Sequence, residues 1–156
     1  MPMRFLYLIS LIYLKAYSDF VNFPNIFGRK QLKDDPNKTP FRIVNEFVPY
    51  RLYANKKGSV TLVVKLTNIT SDPLMSSITV QLPKQMSFGG IGLEKAKEIR
   101  LGDVAPNEQK ESRIDVYGDV GTDRGQYTII LTAYAHYRDY DTVLNSVTKS
   151  IALDVA

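Results

Sequence analysis

The chain predicts an all-β fold, an antiparallel two-sheet sandwich of about seven strands, and three observations carry that reading. Apolar and polar residues alternate at a period of two in several short runs, and turn-forming residues separate those runs every eight to twelve positions or so. No stretch holds a helical period long enough to build a crossover between parallel strands. At 156 residues there is room for one ordinary domain and an appendage.

The run Gly125 to His136 is the strongest of these. Tyr127, Ile129, Leu131, Ala133 and Ala135 fall on one side, and Thr128, Ile130, Thr132, Tyr134 and His136 on the other. That is strand period, and its length makes it the central strand. Gly125 lets the chain enter sharply, and Tyr127 at the corner can bury its ring while its hydroxyl returns to backbone near Thr122 or Asp123.

Met1 to Ser18 opens with Arg4, runs Phe5 to Leu14 with Ser10 as its one polar residue, and meets Lys15. The run is about half of the roughly 20 residues a helix needs to cross a bilayer. Two readings stay open. It is a secretory signal, with Ala16-Tyr17-Ser18 as the cleavage site before Asp19, or a two-faced apolar strand buried in the mature fold. Residues 19–40 lack either period and hold Pro24, Gly28, Asp34-Asp35-Pro36-Asn37 and Pro40, which predicts a linker or extended arm.

The sandwich domain is expected over 41–156. Phe41 to Ala54, interrupted by Pro49, reads as an edge strand that changes direction or switches sheets, because proline cannot donate to a central ladder. Lys56-Lys57-Gly58 turns into the clearest alternation, with Val60, Leu62, Val64 and Leu66 inward and Thr61, Lys65 and Thr67 outward. Asn68 to Pro73 is a loop, and Ile78, Val80 and Leu82 alternate up to Pro83. Leu93 to Glu98 is expected to make at most a helical turn, and Ile99 with Leu101 a short strand. Gly102 to Glu108 turns, Ile114 and Val116 supply the next strand, Tyr137 to Asn145 reads as a polar loop, and Val147, Ile151, Leu153 and Val155 close the sheet, with Lys149 facing the same way.

Composition removes several function classes. There is no cysteine and no tryptophan, which excludes a disulfide scaffold, thiolate metal sites, cysteine catalysis and an antibody-type domain. Of 20 basic and 16 acidic residues, residues 1–57 hold ten and four. The basic excess belongs to the front, where Arg29, Lys30 and Lys33 and the apolar run leave proximity to an anionic membrane open. No aromatic-interleaved basic run of the kind that grips nucleic acid is present, so no nucleic-acid partner is expected.

The order of features from Val60-Thr61-Leu62-Val63-Val64-Lys65-Leu66-Thr67-Asn68, through Ile78-Thr79-Val80-Gln81-Leu82-Pro83 and Leu101-Gly102-Asp103-Val104-Ala105-Pro106-Asn107-Glu108, to Gly125-Gln126-Tyr127 resembles immunoglobulin-like modules of the bacterial and archaeal cell-adhesion-related (CARDB) type. It is also similar to the module attached to some α-galactosidases. The resemblance covers roughly residues 58–156 and implies an immunoglobulin-like sandwich that is non-catalytic and commonly extracellular, serving as spacer, adhesive unit or assembly subunit. Asn107 stands where such modules usually have glycine, and asparagine also tolerates a left-handed turn.

Chemistry is sparse. His136 is the sole histidine, and a strand-end histidine followed by a polar loop is expected at the surface; a hydrolase would need a positioned hydroxyl and a buried carboxylate beside it. The loop after the second long strand and the loop after the sixth share one end of such a sandwich, so Asp72, Asp139 and Asp141 form a candidate oxygen site for calcium. Gly89-Gly90-Ile91-Gly92 lacks the lysine and hydroxyl of a phosphate loop. Asn37-Lys38-Thr39 and Asn68-Ile69-Thr70 are glycosylation sequons in expected loops. Tyr134, His136, Tyr137, Arg138 and Tyr140 form a candidate partner-binding patch, since tyrosine and arginine give large area with a polar tip. No cofactor is predicted. The expected function is a non-enzymatic structural or protein-interaction module, secreted or at the cell surface, that binds a protein partner or itself. The alternatives are a soluble subunit of a larger complex, or a hydrolase or calcium-binding protein centred on His136, Asp139 and Asp141.

Overall fold

The structure, a computed structural model, describes residues 39–156. The expectations placed on Met1–Ser18 and on most of the arm at 19–40 lie outside the described residues. Among the described residues nine strands follow one another: β1 (Phe41–Val48), β2 (Arg51–Leu52), β3 (Gly58–Asn68), β4 (Leu74–Gln81), β5 (Met86–Ser87), β6 (Ala96–Val104), β7 (Gln109–Gly118), β8 (Gly125–Tyr137) and β9 (Asp139–Val155). β2 and β5 are dipeptides, and the other strands carry the architecture. One sheet has the order β1-β3-β7-β5 and the other β2-β9-β8-β4-β6. All pairings are antiparallel except β2 with β9. The predicted two-sheet sandwich is what forms, with β8 at the middle of the five-stranded sheet.

Alternation explains the core. Val60, Leu62, Val64 and Leu66 of β3 meet Ile78, Val80, Ile129, Leu131, Ala133 and Leu153 from the facing sheet, all fully or almost fully buried. Each valine, leucine or isoleucine among them contributes roughly 1.5–3 kcal/mol on leaving water. Tyr127 packs its ring against this core, and its hydroxyl donates to Asp123 O at 2.9 Å, the return to backbone that the corner position predicts. Asn107 takes φ 62 in the turn before β7, the left-handed conformation asparagine tolerates. The break at Pro49 also falls as expected: β1 is an edge of the first sheet, the Val48–Pro49 bond is cis, and β2 joins the second sheet beside β9.

Three expectations are corrected. Tyr137 to Asn145 is not a loop. β8 and β9 form a long hairpin whose turn is Arg138 at φ 66; pairing with β8 at Asp139, Val143, Asn145 and Ser146 keeps this stretch in the strand although residues 139–146 show no apolar alternation. Residues from Ala96 on are strand, because β6 pairs with β4 along its whole length. Asn68, expected in a loop, ends β3 and is wholly buried. Its amide donates to Asp72 O at 2.8 Å and Val104 O at 2.9 Å, while its Oδ1 accepts from Thr70 N and Thr70 Oγ1. The sequon nitrogen is thus committed to the fold.

Candidate interaction site

The aromatic patch is built by irregularities in three neighbouring strands. In β6, Ser76 faces Gly102 and Ser77 faces Arg100, so Leu101 is an extra residue, and Gly102 takes φ +70 to make the bend. In the β8–β9 hairpin the register slips on both sides of His136, which faces Val143, while Tyr137 faces Asp139. Tyr140 is thereby freed from the ladder and folds back over the outer face of the sheet. Its hydroxyl accepts from Gly102 N at 3.0 Å, its ring stands T-shaped to His136 with centroids 5.1 Å apart, and the Arg100 guanidinium covers it at 4.5 Å. Tyr134 lies on the other flank of the imidazole at 6.0 Å.

His136 was expected at the surface, and the structure overturns this: it is 5% exposed. The hairpin irregularity places it beneath Tyr140 and beside Ser77, itself 1% exposed, and Ser77 Oγ lies 2.7 Å from His136 Nε2. This pair is closed from solvent, and Nδ1 is buried without a hydrogen-bond partner. A nucleophilic triad needs a carboxylate on that nitrogen to orient the ring and a nucleophile that substrate can reach; neither condition is met. The rings of Tyr134 and Tyr140 are what surround the imidazole, and an aromatic face is a weak acceptor for an N–H.

The remaining predicted residues divide. Tyr134, His136 and Tyr140 are brought together. Tyr137 and Arg138 stack on each other at the hairpin tip, 4.9 Å from guanidinium to ring centroid. Met75 faces His136 across β4 and β8, so the loop holding Asp72 does share an end with the hairpin holding Asp139 and Asp141. Among the described residues, however, no group of three or more His, Cys, Asp and Glu is placed to hold a metal ion. Asp139 Oδ1 instead accepts from Asp141 N and Thr142 N at 3.1 and 2.9 Å and shapes the strand start, and the backbone carbonyl of Asp72 accepts from the Asn68 amide.

Ser77 and Arg100 escaped sequence reasoning because their membership depends on pairing between strands distant in the chain. At the other end of the sandwich, Arg51 has its guanidinium over the rings of Tyr50 and Tyr53, at 4.9 and 5.8 Å, with Nε buried and unpartnered. The Tyr50-Arg51-Leu52-Tyr53 spacing, which sets both rings on either side of the arginine, was the available signal.

Two sheets of four and five strands, joined in this order and closed by a tyrosine corner, define an immunoglobulin-like β-sandwich. Among solved structures, the chain is similar to a segment of alpha-2-macroglobulin from Escherichia coli, with 16% identity over 74% of this chain and 16% of that one at a TM-score of 0.53. Alpha-2-macroglobulin from Salmonella aligns with 16% identity over 75% of this chain and 7% of that one at a TM-score of 0.54. A CARDB domain from Pyrococcus furiosus aligns with 16% identity over 74% of this chain and 85% of that one at a TM-score of 0.44. The chain spans less than a fifth of either alpha-2-macroglobulin structure. At such identities the likeness is one of fold. No protein-family model matches the sequence, and no curated protein does.

Proposed function

We propose that this chain is a non-enzymatic interaction module of an exported or surface-attached assembly, and that it engages a protein partner through the outer face of its five-stranded sheet. The observation that carries the reading is the layer of Tyr134, His136 and Tyr140 under Arg100, on a face the sandwich core does not require to be aromatic. Tyr140 and Tyr134 remain partly exposed while their rings are fixed by packing and by the Gly102 hydrogen bond. Rigid, amphipathic tyrosines beside arginine are the side chains from which binding hot spots are built, since little conformational freedom is lost on docking. Arg138 over Tyr137 extends the patch to the hairpin tip. The closed Ser77–His136 pair is in keeping with a structural histidine. The positively charged start and short apolar run of Met1–Ser18 support export.

A photo-cross-linking residue in place of Arg138, introduced in the native host, tests this. One dominant protein adduct is expected, and Arg100→Glu, an exposed change that reverses charge over Tyr140, should abolish it. Mass spectrometry of the same purified protein should find an N-terminus at Asp19. An adduct indifferent to Arg100→Glu, or none at all, would remove the aromatic face from the account, and an intact front would favour the soluble-subunit alternative.

A further inference from the structure

Among the described residues β1 is the outer edge of the four-stranded sheet, and its ladder with β3 determines which of its backbone groups are already used. Phe41 faces Asn68, and Ile69 N donates to Pro40 O at 3.1 Å, so Pro40 and Ile69 are a hydrogen-bonded pair one step beyond the ladder. Antiparallel strands alternate hydrogen-bonded and non-hydrogen-bonded pairs. Arg42, Val44, Glu46 and Val48 therefore bond to β3, and the N–H and C=O groups of Phe41, Ile43, Asn45 and Phe47 point outward along the edge. Of these, the Ile43 carbonyl accepts from Lys149 Nζ at 3.2 Å. The side chains split the opposite way: Phe41, Ile43 and Phe47 pack toward the core, and Arg42, Val44, Glu46 and Val48 stand exposed on the outer face.

We infer that β1 is the interface of a symmetric dimer, in which a second copy of this chain pairs antiparallel with it about a two-fold axis through Val44. In this register Phe41 meets the partner's Phe47, and Ile43 meets the partner's Asn45. These are the outward-pointing positions that a new ladder needs as its hydrogen-bonded pairs, and two bonds for each of four pairs give about eight. Arg42 then lies opposite the partner's Glu46, Glu46 opposite the partner's Arg42, and Val44 opposite the partner's Val44. All three are non-hydrogen-bonded positions, where facing side chains approach most closely. A shift of two residues in either direction sets Arg42 and Glu46 against valine or proline and breaks both ion pairs. The edge is thus complementary to itself in one register.

Glu46 is free to take part, because its side chain is 59% exposed and its contact with Lys65 is a loose 3.9 Å. Lys149 guards the edge: its amine must leave the Ile43 carbonyl before the partner's Asn45 can donate there. A lysine so placed discourages indiscriminate strand pairing. The association is therefore reversible and depends on the charge match. It uses the sheet opposite the aromatic face and stands independently of any partner there.

Sedimentation equilibrium of the full chain over a range of concentrations at low ionic strength tests it, since exposed charges are least screened there. A monomer–dimer equilibrium is expected. Arg42→Glu or Glu46→Arg should each weaken it about tenfold or more, because two attractive pairs become repulsive. The double variant Arg42→Glu/Glu46→Arg should restore the wild-type constant, and an equimolar mixture of the two single variants should form a heterodimer tighter than either alone. Both positions are exposed, and far-ultraviolet circular dichroism verifies that each variant is folded. Arg100→Glu should leave the constant unchanged, so failure of the dimer and failure of the aromatic face are read separately. A monomer at every concentration, an association constant indifferent to both reversals, or a double variant as weak as the singles would overturn the inference.

Discussion

Asn68 closes the loop end of the sandwich. Two carbonyls, Asp72 O from the loop after β3 and Val104 O from the end of β6, both point at its amide nitrogen, and the Thr70 amide and hydroxyl both point at its oxygen. Its own backbone donates to Glu108 O and accepts from Asn107 N. Removing the side chain leaves the buried Val104 carbonyl without this donor and takes a partner from the part-buried Asp72 and Thr70 groups, and a buried group left unsatisfied costs about 1–3 kcal/mol. Asn68→Ala should therefore lower unfolding stability by roughly 2–4 kcal/mol in urea titration. Asn68→Asp should not rescue it, because a carboxylate has no donor for the two carbonyls and faces them with like charge. A loss under about 0.5 kcal/mol, the range of ordinary surface changes, would mean that the network is incidental.

Ser77 and His136 make a second residue-scale unit. Ser77→Ala leaves Nε2 without its partner, and His136→Phe leaves the serine hydroxyl stranded among rings. Each single change should cost about 1–3 kcal/mol, whereas the double change removes both polar groups together and should cost clearly less than the sum. Additive losses in the double-mutant cycle would show that the two side chains do not act as a pair.

At the scale of the element, the extra residue in β6 connects backbone conformation to the aromatic layer. Gly102 holds φ +70, and a Cβ placed there would meet no atom within 4 Å, so any cost of a side chain is one of backbone conformation and not of crowding. Gly102→Ala should destabilise by about 1–2 kcal/mol, and Gly102→Asn by less, since asparagine tolerates the left-handed region. Equal losses for the two in thermal or urea unfolding would place the cause elsewhere. The same irregularity explains what sequence patterns miss. The tyrosine corner is legible because Tyr127 and Asp123 are neighbours in the chain, and the alternation of β3 because one strand displays it alone. His136 appears on the outward side of β8, and its burial follows only from a register slip against β9, a strand whose residues 139–146 carry no period of two. Ser77 and Arg100 reach the site through pairings of β4 with β6 and β8 that no local pattern announces.

At the scale of the whole molecule, fold class and core were readable because β3, β4, β8 and the second half of β9 repeat one rule, inward apolar and outward polar. The edge at β1 was readable too, because Pro49 cannot donate to a central ladder, but what lies against that edge was not. Lys149 shows the difference. Its place among the inward-facing residues of β9 is plain in the sequence, yet its role depends on β1 of the opposite sheet lying within reach. The switch at Pro49 has a mechanical consequence. β1 enters at the end where Asn68 lies and runs along β3; past the proline, β2 continues beside β9, whose last residues lie at the far end. Tension applied at Phe41 and Val155 is directed along β1 and β9, so it shears the β1–β3 and β8–β9 ladders with many bonds strained together, where a peeling geometry would break them singly.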